Sequence, residues 1–155
     1  MKPADALALL EAIYKDKLAL RQRHVAAARR VSGYEFNNAY QYVINREDVH
    51  LTWLRDAIAD AGGTLAEVPD PEITGEATRL MAEDRELAGA FVARWRDKIA
   101  ALSNARHRTM LGLMLGETLE QQRFFALGVA GETDLLGRRE GGRARGVVLP
   151  TRWVE

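Results

Sequence analysis

The chain has 155 residues, of which 47% are hydrophobic and 28% charged, a size and balance that predict one globular domain. Its 22 Lys and Arg offset 22 Asp and Glu, so it lacks the positive excess that binding to a phosphate backbone or an anionic membrane draws on, and neither nucleic acid nor membrane is an expected partner. With no cysteine there is no disulfide framework, thiolate zinc site, cysteine-ligated iron–sulfur cluster or cysteine nucleophile, and any metal must be held by carboxylate, imidazole or amide.

Residues 1–12, MKPADALALLEA, read as neither a signal peptide nor a membrane span, which makes the cytoplasm the expected compartment. A first helix is predicted from about Ala4 to Val31, ended by Ser32-Gly33. Two apolar stripes compete on it. One runs Leu7, Leu10, Tyr14, Leu18, Arg21, Val25, Ala28; the other, slightly rotated, runs Leu10, Ile13, Lys17, Leu20, His24, Val31. His24 and His107 are expected at the surface or near helix caps.

The second helix spans about Glu35 to Ala61, with Phe36, Tyr40, Val43, Glu47, His50, Leu54 and Ile58 on one face and Gly62-Gly63 as its stop. The third is predicted to start near Pro71 or Glu72, behind Asp70 as a cap, and to run to about Leu102 with Ile73, Ala77, Leu80, Asp84, Leu87, Phe91 and Trp95 in register. Ser103 or Asn104 caps a fourth, about Ala105 to Val129, whose stripe is Met110, Leu113, Glu117, Glu120, Phe124 and Leu127.

No strand pattern of comparable length appears before Val147, so the fold class is all-α, a four-helix bundle over residues 1–130. The middle connection, GGTLAEVPDP, favours an extended path. Its ten or so residues can reach about 33–36 Å, against about 40 Å for the second helix. A single long crossover that makes helices two and three parallel is therefore feasible. Residues 131–155 form a Gly/Arg-rich tail with an apolar end around Leu149 and Trp153; it either lies loosely on its own surface or docks on a neighbouring subunit.

Polar residues interrupt the core stripes. Glu47 and His50 occupy consecutive core steps of helix two, where an unpaired carboxylate costs several kcal/mol. Glu117 and Glu120, with Gln121 beside them, interrupt helix four, and helix three supplies Glu83 and Glu86. Counted from the expected helix starts, Glu47, Glu83 and Glu120 share one layer. Crowded carboxylates in a dry core take up protons unless cations compensate them, and oxygen-rich ligation with an imidazole suits iron or manganese.

The spacing resembles the ferritin-like superfamily, and within it the rubrerythrin branch of di-iron bundles, over roughly residues 5–130. That branch places Glu-x-x-His, Glu-x-x-Glu and Glu-x-x-Glu-His on helices two, three and four, matched by Glu47 and His50, by Glu83 and Glu86, and by Glu117, Glu120 and Gln121. The resemblance implies a di-metal carboxylate site built from these residues, with Glu47 and Glu117 bridging, and iron handling or peroxide or dioxygen chemistry. Two departures stand out. Gln121 replaces a histidine, and residues 14–21, YKDKLALR, carry no Glu where the family's first helix supplies one. An inward Lys17 or Arg21 would pair with the acids and replace one metal. The alternative function is thus a degenerate bundle without metal, serving as an assembly or binding module. The resemblance also implies a homodimer or larger homo-oligomer.

Overall fold

The structure, a computed structural model, describes residues 1–136. It is an all-α four-helix bundle: α1 Pro3–Ala28, α2 Tyr34–Asp60, α3 Ala77–Ala100 and α4 Ala105–Val129. None of these helices is long and apolar enough to cross a membrane. Pro3 sits in the first turn of α1, where a missing N–H costs nothing, and Asn104 caps α4 by accepting from the His107 N–H at 3.0 Å. Gly62, at φ +75°, supplies the left-handed residue that follows α2.

The third helix begins at Ala77, five residues later than Glu72. Gly75 lies at φ +123°, outside helical space, and Glu76 is still extended. Asp70 and Pro71 lie in the connection and start no helix, and the later start at Ala77 displaces the expected register of α3 against the other helices by more than a helical turn.

Helices α1 and α2 pack together, as do α3 and α4, with α1 also against α3 and α2 against α4; α2 and α3 are diagonal. The contacts fix direction. Along α1, Asp16 meets Trp95 while Arg23 meets Asp84, and Lys17 meets Glu47 while Asn37 reaches the Ala28 carbonyl, so α2 and α3 both run against α1 and hence parallel to each other. The long connection climbs the bundle to make this possible. Its Thr64 binds Glu11 near the start of α1, and the Gly75 carbonyl accepts from Arg30 beyond its end.

Two apolar clusters form the core. One is centred on Leu10, Ile13, Leu54, Ile58, Trp95 and Leu111; the other on Ala27, Tyr40, Val43, Leu80, Met81 and Phe125. Leu135, just past α4, is buried in the second, so the tail's first residues belong to the packed body. Leu149 and Trp153 lie outside the described residues. Lys17, His24, Glu47, Asp84, Thr118 and Gln121 are buried along the same helices, and this polar belt is the feature of functional interest.

Candidate functional site

On α1 the rotated stripe is the buried one. Leu10, Ile13, Lys17, Leu20, His24 and Val31 face inward, while Arg21 turns out to pair with Asp48. The orientation is set by the apolar members, and it carries Lys17 and His24 into the interior with them. His24, expected near the surface, is 1% exposed. The correction follows from choosing between stripes: the same rotation that buries Ile13 and Leu20 buries residues four positions on.

Lys17 is the centre of the belt. Its side chain is 0% exposed, its Nζ donates to Thr118 Oγ1 at 3.1 Å and lies 3.6 Å from Glu47 Oε2, and its charge sits 5.0 Å from the centre of the Phe91 ring. Glu47 is equally buried, and its Oε1 accepts from His24 Nδ1 at 2.6 Å. Burial alone would push the Glu47 carboxyl up; the charges of His24 and Lys17, with the His24 hydrogen bond, overcome this and hold it below the usual carboxylate range. Burial moves Lys17 downward from an ordinary lysine, with Glu47 and Glu117 opposing the shift.

One level along α3 stands Asp84, also fully buried. Tyr40 donates to its Oδ2 at 2.5 Å, Arg23 Nε to its Oδ1 at 2.6 Å, and His24 Nε2 lies 3.7 Å from Oδ1. Burial and the Asp84 charge together push the Tyr40 phenol far up, so the hydroxyl remains a donor. Arg23 spans outward from Asp84 to Glu83 at 2.8 Å.

A second arm lies between α2 and α4. His50 Nε2 donates to Glu117 Oε2 at 2.5 Å, and Arg46 binds Glu117 Oε1. Burial depresses His50, as does the charge of Lys17, against the pull of Glu117; the neutral imidazole with its proton on Nε2 fits both the bond and the shift. Burial would raise the Glu117 carboxyl, but His50 and Arg46 hold it low.

The residues that the motif spacing singles out are therefore dispersed. Glu47, His50 and Gln121 are buried, Glu117 and Glu120 half-buried. Glu83 binds Arg23 and Arg79 at the bundle's flank, and Glu86, 76% exposed, binds Arg85. The shared layer expected for Glu47 and Glu83 does not form. With α3 starting at Ala77, its contact at the level of Glu47 is Phe91, whereas Glu83 and Asp84 stand about 10 Å further along. The acid that α3 sends inward is Asp84, already in register with Leu80 and Phe91 in the sequence. On α4 the buried face is shifted by one residue, to Leu111, Met114, Thr118, Gln121 and Phe125, which turns Glu117 and Glu120 to its edge.

A di-metal site would need carboxylates free to bridge two ions. Each inward carboxylate already has charged or hydrogen-bonding partners, Glu47 in Lys17 and His24, Asp84 in Arg23 and Tyr40, Glu117 in Arg46 and His50, although Glu47 Oε2, His24 Nε2, His50 Nδ1 and Gln121 Nε2 are buried without a hydrogen bond. Among the described residues no group of three or more His, Asp or Glu is arranged to hold a metal ion. The donor set does not fit the di-iron geometry that the resemblance implies. No family model matches the chain, and no curated protein and no solved structure matches it.

Proposed function

We propose that the chain is a ferritin-like bundle whose central cation is an internal lysine, and that it works as a binding or assembly module and not as a di-iron oxidoreductase. The observation that carries this reading is Lys17, 0% exposed and facing Glu47, on the helix that lacks the family's first glutamate. Around it each inward acid faces a protein cation: Lys17 stands opposite Glu47, Arg23 opposite Asp84 while also holding Glu83 at the flank, and Arg46 opposite Glu117. A buried acid needs a cation, and an ammonium on a four-carbon stem meets that need with no coordination geometry to maintain.

The crossover bundle and the spaced acids on α2 and α4 support the ferritin-like part; the dispersal of Glu83 and Glu86 argues against the di-metal part. Self-association through bundle faces belongs to the assembly half of the proposal and is read from the mass in light scattering, a dimer or larger supporting it and a monomer removing it.

The test is metal content. Protein purified from iron-supplemented cells, and protein reconstituted anaerobically with iron(II) or manganese(II), is expected to retain no stoichiometric metal after desalting, and His50→Ala to change nothing in that measurement. About two irons per chain, lost in His50→Ala, would instead establish the di-metal protein.

A further inference from the structure

The crossover does more than connect. Between Thr64 and Gly75 it passes over the seam of α1 and α3, and beneath it lies a cavity of about 400 Å³. Leu20, Leu87 and Phe91 form its apolar wall and Val68, Pro69 and Pro71 its roof, while Arg23 and Arg94 stand at the two ends. The volume falls within the range of small-molecule sites, and so does the mixture of an apolar body with few polar groups.

The polar groups are not equally committed. Arg94 gives only Nη1 to Asp16, at 3.0 Å, and its side chain is 59% exposed with the guanidinium over the Trp95 ring. Its Nε and Nη2 donors remain. Asp16, the only carboxylate among the described residues lining the cavity, accepts independently from Trp95 Nε1 at 2.8 Å, so it keeps a partner if Arg94 turns to a ligand. Arg23 spends Nε and Nη2 on Asp84 and Glu83. Among the described residues of the lining, Arg94 is therefore the cation with more uncommitted donors, one of its nitrogens held by Asp16 against two of Arg23 held by Asp84 and Glu83, and it stands at the mouth of an apolar trough.

We infer that this groove binds a small monocarboxylate with an apolar body, the carboxylate on Arg94 and the body between Leu20, Leu87, Phe91 and the crossover. A planar guanidinium matches a carboxylate through two parallel N–H bonds. This deepens the binding-module reading and rests on it, but not on the Lys17 account of the core, which metal content tests separately.

The experiment is calorimetric titration of the full chain with octanoate and, as the neutral counterpart, 1-octanol. Octanoate is expected to saturate a single site at or below about 1 mM. Arg94→Gln should weaken octanoate about tenfold and leave 1-octanol unchanged. Ala90→Trp, which fills the groove from an exposed position, should abolish both while the helical spectrum and Tm stay as in wild type. On the unaltered protein, amide shifts induced by octanoate should be confined to residues 16–23, 64–75 and 87–94, a readout independent of whether either variant folds. Absence of saturation, binding indifferent to Ala90→Trp, shifts elsewhere, or equal loss of octanoate and octanol in Arg94→Gln would each overturn the assignment.

Discussion

At the scale of single residues the belt makes the molecule's stability depend on pH in a definite direction. His50 has its folded value below 6.5 because burial disfavours the imidazolium. As pH falls through 6.5 the unfolded chain gains a proton that the folded chain refuses, so stability declines. Glu47 and Glu117 are held below 4.5 despite burial, because His24 and Lys17 face the one and His50 and Arg46 the other. Their contribution is fully present above 4.5 and disappears as pH falls through the folded values. Urea midpoints measured near pH 7.5, 5.5 and 4 should therefore fall in two steps. His50→Gln should flatten the first step and Glu47→Gln reduce the second. A wild-type midpoint that holds or rises from about pH 7.5 to 5.5 would contradict the His50 assignment.

At the scale of elements, the sequence makes the four helices and their parallel α2 and α3 readable, because long stretches without an interior proline, with apolar residues at three- and four-residue steps, have few other ways to bury that surface. The start of α3 is not readable from Asp70-Pro71, since a capping residue and a proline favour a helix start without compelling one; the chain passes through Gly75 at positive φ, and α3 begins behind Glu76 with no side-chain cap. That misplacement moves the expected layer by more than a helical turn. The α1 stripes differ by a small rotation, and only packing against α2 and α3 decides for the one containing Lys17 and His24. On α4 the apolar residues surround the helix closely enough that Glu117 and Thr118 compete for the core, and Thr118 wins it by bonding Lys17 and its own Met114 carbonyl. Gly128 on α4 faces Met81 on α3, whose buried methyl end occupies the space that a larger side chain at 128 would need. Gly128→Leu should thus destabilise the bundle by about 1–3 kcal/mol, read from urea unfolding; a loss below about 0.5 kcal/mol would show that this contact is not tight.

At the scale of the whole molecule, two apolar clusters lie along helices that also bury a belt of charges, and the account requires the belt to be self-sufficient: Lys17 answers Glu47, Arg23 answers Asp84 and Arg46 answers Glu117. Breaking a buried pair from one side leaves an uncompensated charge and costs about 3–5 kcal/mol, a large part of what holds a domain folded. The Lys17–Glu47 pair is the place to measure this, by urea unfolding of wild type, Lys17→Met, Glu47→Gln and the double variant, each with EDTA and with manganese(II). The account predicts that each single change costs several kcal/mol, that the double change costs less than their sum by about 2 kcal/mol, and that metal alters none of the four values. Additive losses, together with stabilisation of the wild type by manganese, would show that the core holds its acids for a metal ion and not for Lys17.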